Sequence, residues 1–173
     1  YHKGKAESLR LLGIHNTLTT NFSQAHYNLK KSMNLFLKSG DKKGLARCMM
    51  NTGNLHRIPS NYELAHENFN KSIEISKEIK FERGVSDCNN HIGIIFYEMK
   101  EYNKAIEYYR KSLRMYEDKG DKLGMTYALN NIALAFEKQN KLDQALEYYN
   151  RCIKIGKELE FDHILGWAYN GLG

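Results

Sequence analysis

Four glycines, Gly4, Gly44, Gly84 and Gly124, stand 40 residues apart, and other residues travel with them at the same interval. Gly13, Gly53, Gly93, Ala133 and Gly173 form one such series, and Ala25, Ala65, Ala105 and Ala145 form another. Leu29, Phe69, Tyr109 and Tyr149 follow in register. A fixed period of this length means a stack of similar units, each needing its neighbours to complete a core. Such a stack offers a long surface rather than one chemical centre.

Within one cycle the local pattern is helical. Val85, Cys88, Ile92, Ile95 and Phe96 recur at spacings of three and four, which predicts a helix from Val85 to Tyr97. After the polar Lys100-Glu101, a second periodic segment starts near Tyr102 and carries Ala105, Ile106, Tyr109, Leu113 and Tyr116. It is expected to end at Lys119-Gly120, where glycine suits a left-handed residue beyond a helix end. Asp121 then caps the next helix, and Gly40-Asp41 does the same two cycles earlier. Asn61, Asn103 and Asp143 are the candidate caps of the second helices. Glycine inside a helix costs about 1 kcal/mol relative to alanine. The recurrence at 13, 53 and 93 therefore predicts close helix approach, with Phe69, Tyr109 and Tyr149 filling the space beside it.

The order of residues Asn89, Ile92, Gly93, Phe96, Ala105, Tyr109, Ser112, repeated as Leu129, Ile132, Ala133, Phe136, Ala145, Tyr149, Cys152, resembles the tetratricopeptide repeat. The resemblance covers the whole chain, as units at 4–43, 44–83, 84–123 and 124–163 with a partial fifth at 164–173. It implies an all-α fold, a right-handed α-solenoid of antiparallel helix pairs. Two features depart from the usual pattern: the period is 40 rather than 34, and Leu37, Lys77, Glu117 and Lys157 stand where a helix-ending proline is usual. The second helix of each unit is therefore expected to run longer. The 40-residue form looks like that of Pins-type adaptors, kinesin light chains and bacterial sensor proteins.

In this family the first helices line a concave surface. Transferred position by position, the resemblance places Glu7, Arg47, Asp87, Tyr127 and Trp167 in one row and Arg10, Met50, Asn90, Asn130 and Asn170 in the next. Asn51, His91 and Asn131 run beside them, followed by Asn54, Arg57 and Tyr97. Asparagine is a middling-to-poor helix former, so its concentration on one face calls for a reason. Its amide both donates and accepts, which suits the main chain of a bound peptide. The alternative is that these amides bond between neighbouring first helices. The expectation is a non-catalytic scaffold for a protein or peptide partner; the rival is a sensory or regulatory module of a larger signalling protein.

Other chemistries find little support. The net charge is +6, but Arg10, Arg47 and Arg57 on the predicted rows are balanced by Glu7, Asp87 and Glu137. The lysine excess lies on second helices and turns, so the contiguous basic stripe of a nucleic-acid binder is missing. Cys48 and Cys88 occupy one slot in successive units, where Ser8, Ala128 and Ala168 show that a small packing residue is wanted. His26 and His66 are likewise equivalents rather than joint ligands, and His56 takes the slot of Phe96 and Phe136. No metal site, cofactor or nucleophile motif is read. No run of about 18 apolar residues predicts a membrane span. A cytoplasmic location is expected, and the start at Tyr1 reads as that of an excised piece. Ile164, Leu165, Trp167, Ala168, Tyr169 and Leu172 begin a helix without its partner, so this apolar face is expected to pack against another copy, fold back or be disordered; self-association through uncapped ends is a third reading of function.

Overall fold

The computed structural model describes residues 2–159. Among these it contains eight α-helices: α1 (His2–Leu18), α2 (Phe22–Ser39), α3 (Lys42–Arg57), α4 (Tyr62–Glu78), α5 (Glu82–Glu98), α6 (Tyr102–Asp118), α7 (Lys122–Lys138) and α8 (Leu142–Glu158). Consecutive helices pack as hairpins, as in α1 with α2, α3 with α4 and α7 with α8. The all-α class and the pairing follow the periodicity. Both helices of a cycle span 16 to 18 residues, so the extra length is shared between them. The expected fifth helix, with Trp167 and Asn170, lies outside the described residues.

The chain divides into two compact units between Cys88 and Asn89, within α5. In the first unit Ala6, Ala25, Leu29, Phe36, Leu45, Cys48 and Leu55 make one apolar cluster. In the second the cluster is centred on Tyr109, Tyr116, Leu129, Ile132, Phe136 and Tyr149, all nearly inaccessible. Each fully buried large side chain of this kind contributes on the order of 1.5–3 kcal/mol.

The glycine series have distinct duties. A Cβ built on Gly53 would lie 2.6 Å from the Phe69 ring, and one on Gly93 2.5 Å from Tyr109. These glycines let the two helices of a hairpin close over an aromatic ring. Gly44 and Gly124 do the same for the preceding helix, where the built Cβ would lie 2.3 Å from Phe36 and from Tyr116 respectively. The small residue of the second helix has a polar purpose too. Ser32 Oγ donates to Ala6 O at 2.7 Å and Ser72 Oγ to Ala46 O at 2.8 Å, both buried. Cys152 Sγ takes this role toward Thr126 O at 3.5 Å.

The caps correct the sequence reading in part. Asp41 and Asp121 accept from Gly44 N and Gly124 N at 2.9 and 3.1 Å, as expected. Asn61 is an N-cap, but without a side-chain bond to the helix. Asn103 and Asp143 are already inside their helices, whose N-caps are Glu101 and Lys141. The helices start earlier because backbone turns, not side chains, set their entry.

Candidate binding faces on the first helices

In the first unit α1 and α3 touch directly, so their side chains form a common face. Arg10 is nearly covered, with 11% of its side chain exposed, and makes a two-pronged bond to Glu7 at 2.9 and 2.5 Å. That bond is the main reason the Glu7 carboxyl is held below its ordinary range. The Arg47 guanidinium lies 5.6 Å from the centre of the Phe81 ring. Arg57 Nε reaches Asn54 Oδ1 at 3.5 Å, and Asp87 Oδ2 lies 3.8 Å from Arg83. Met50 is half-buried. Asn51 is buried, and its Nδ2 donates to no partner among the described residues.

In the second unit the face is formed by the end of α5 and by α7. Asn131 Nδ2 donates to Asn90 Oδ1 at 3.1 Å, an amide bond between neighbouring first helices. This pair thus satisfies the alternative reading of the asparagines. Asn130 does not join it: its Oδ1 is buried and accepts from no donor among the described residues. His91 is half-buried, and Tyr127 is 37% exposed. Tyr97 packs edge-on against Tyr102 at 5.5 Å. Its hydroxyl is held above the ordinary range by burial first, then by the charges of Tyr102 and Glu137.

Glu137 is the member that the pattern undervalued, entering the sequence reading only as a charge. Its Oε2 accepts from Tyr149 OH at 2.8 Å. Burial, followed by this bond, raises the Tyr149 hydroxyl strongly. A carboxylate fixed by a buried tyrosine beside Tyr97 makes one end of this face acidic and rigid. The Tyr149–Glu137 spacing of 12 residues joins two helices across a turn, so no single-helix periodicity reveals it.

These faces present amide, aromatic and charged side chains. Among the described residues no group of three or more His, Cys, Asp or Glu could hold a metal ion. No described helix is long and apolar enough to cross a membrane.

Residues 84–158 match the model of the tetratricopeptide repeat family. Residues 84–158 are a tetratricopeptide-repeat segment. The match begins at Gly84, where the glycine register starts a new cycle. No curated protein matches the sequence significantly. Among solved structures, the apo form of RapI is 25% identical, with a TM-score of 0.78, over 91% of this chain and 57% of that one. Aspartyl phosphate phosphatase F from Bacillus subtilis is 16% identical at a TM-score of 0.90, over 98% of this chain and 44% of that one. A Rap protein complexed with Competence and Sporulation Factor is 17% identical at 0.88, over 95% and 46%. For the last two the likeness is one of fold. The chain spans between 44% and 57% of the length of these three proteins.

Proposed function

We propose that this chain is a non-catalytic protein-interaction module that holds a peptide segment of a partner protein on its first-helix faces. The observation that carries the reading is the pair of orphaned amide atoms, Asn130 Oδ1 in the second unit and Asn51 Nδ2 in the first. A buried polar atom left without a partner costs about 1–3 kcal/mol. On each unit separately, a peptide main chain has the group that is missing, an N–H for Asn130 or a carbonyl for Asn51, whatever its side chains. The Asn90–Asn131 bond holds the neighbouring helices while Asn130 is left for a ligand. A protein of this fold solved with a bound factor is a precedent for ligand binding by such a scaffold.

The test is a selection of displayed peptides on the whole chain, followed by titration against Asn130→Ala. This substitution removes an unsatisfied acceptor and improves helix propensity. It is expected to leave thermal stability unchanged or raise it by up to about 1 kcal/mol, while weakening the selected peptides tenfold or more. Equal affinity for the variant across those peptides would sink the reading.

A second reading has one observation in its favour: the chain covers 57% of RapI and less than half of the other two proteins. In this reading the repeats are the regulatory part of a larger signalling protein, a histidine kinase or a peptide-responsive regulator. They then act through intramolecular contacts or dimerisation. The full reading frame decides, since an attached kinase or DNA-binding domain supports it and an isolated repeat array opposes it.

A further inference from the structure

The second unit also has a groove lined mainly by its second helices. It encloses about 370 Å³ between α6, the end of α7 and the start of α8. The buried side chains of Ile106 and Phe136 give it an apolar floor. Arg110, Arg114 and Lys141 stand around it. A site of this size with an apolar base and a few placed charges has the general make-up of a ligand pocket.

The three cations are arranged but not neutralised. Arg110 stacks over two rings, 5.7 Å from the centre of Phe136 and 6.0 Å from that of Tyr148, and donates to Tyr148 OH at 3.2 Å. Arg114 Nε donates to Arg110 O at 3.4 Å, and Lys141 Nζ lies 6.0 Å from the Phe136 ring centre. None of the three forms an ion pair with a carboxylate among the described residues. The acid on the lining, Glu107, is occupied by Lys111 at 2.7 Å. Stacking fixes the plane of a guanidinium and leaves its edge donors for a carboxylate, with less side-chain entropy to lose on binding.

The groove is not a by-product of the repeat. Two cycles earlier the register places His26, Lys30, Asn34, His56 and Asn61 where this unit has Ile106, Arg110, Arg114, Phe136 and Lys141. The apolar floor becomes two histidines, and three cations become one.

We propose that this groove binds an acidic segment of a partner protein. Carboxylate side chains meet Arg110, Arg114 and Lys141, and an adjacent apolar side chain rests on Ile106 and Phe136. Three cations around a short apolar depression fit a peptide better than a nucleic-acid backbone, which needs a longer basic track. The lining does not include Asn90, Asn130 or Asn131, so a second segment of one partner could engage it.

The test uses fluorescence anisotropy with the whole chain and a labelled decapeptide of alternating Glu and Asp around one central Leu. The same peptide with Gln and Asn replacing the acids is the control, and a single-stranded oligonucleotide of similar length is the competitor class. Wild type is expected to bind the acidic peptide, more weakly as salt rises, and the neutral peptide at least tenfold less well. Arg110→Gln with Arg114→Gln should lose at least tenfold, and Asn130→Ala should change nothing. Lys141→Gln, at the N-cap of α8, gives a second loss that depends on neither arginine, should the double variant fail to fold. No binding by wild type, equal binding of the neutral peptide, or unchanged affinity in all the basic-residue variants overturns the proposal. So does tighter binding of the oligonucleotide through the same three residues.

Discussion

His56 shows how one residue can satisfy a pattern and still alter the chemistry of its slot. Its equivalents Phe96 and Phe136 are permanently neutral rings, whereas an imidazole can charge. In the structure the His56 ring meets His26 edge-on, with centroids 6.5 Å apart. Burial first, and the charge of His26 second, hold His56 below the ordinary histidine range. The neutral form is therefore the one that the fold prefers. Its contribution is fully present above the unfolded histidine value, about 6.5, and is lost as pH falls through that value toward the folded one. The lowered carboxyls of Glu7 and Asp41 act elsewhere on the pH axis. Their stabilisation holds above the unfolded carboxylate range, about 4, and disappears below it. Denaturant titrations at pH 7.5 and 5.5 should thus show a loss of stability that His56→Phe removes. An equal loss in the variant would show that the two histidines do not govern this window.

At the level of elements, the turns obey a shorter rule than the repeat does. Thr20, Gly40, Ser60, Lys80, Lys100, Gly120 and Asn140 are all left-handed, with φ between 55 and 69°, one every 20 residues. Each N–H bonds three residues back, and the next N–H bonds five back, as in Lys80 N to Lys77 O at 3.1 Å and Phe81 N to Ser76 O at 2.7 Å. That is the glycine-favouring Schellman ending, used here after each of the helices α1 to α7. A side chain in this conformation costs about 1–2 kcal/mol. Lys80→Gly, between α4 and α5, should therefore stabilise the chain by about 1 kcal/mol and raise Tm by about 2–4 °C. A lower Tm in a thermal melt would show instead that the lysine side chain contributes more than its backbone strain costs. Helix existence was legible because the three-four spacing of Ile92, Ile95 and Phe96 is a direct image of a buried face. The 20-residue turn rule was not, because five of its seven residues are not glycine and composition hides their backbone. The caps at Glu101 and Lys141 were missed for the same reason, since no side-chain bond marks them.

Across the whole molecule, the register located faces but not partners. It put Asn90, Asn130 and Asn131 on one helical side, yet which amide would bond and which stay orphaned depends on helix offsets of an ångström or so. The basic groove was equally hidden, because its arginines stand on α6 and its lysine at the N-cap of α8, and they read as a scattered solvated face. The cysteines are the opposite case, where the repeat alone assigned a packing role that burial supports. Cys48, Cys88 and Cys152 are free thiols with no accessible surface. Burial pushes Cys48 and Cys152 up to about 11 and Cys88 to about 12. At pH 8 a thiol at 11 is ionised to roughly a thousandth, against roughly a quarter for an ordinary one. Low thiolate content and lack of access compound each other, so modification requires local unfolding. Cys48 and Cys88 belong to the first unit and Cys152 to the second, which makes them independent reporters. A brief alkylation pulse at rising denaturant, read by mass spectrometry of the fragments, should find all three protected in the native chain. Cys48 and Cys88 should then label with one common midpoint, because a repeat array is stabilised through nearest-neighbour interfaces rather than residue by residue. Native-state labelling of any of the three at the rate of an exposed thiol would contradict their packing role. Separate midpoints for Cys48 and Cys88 would mean that the first unit does not unfold as one.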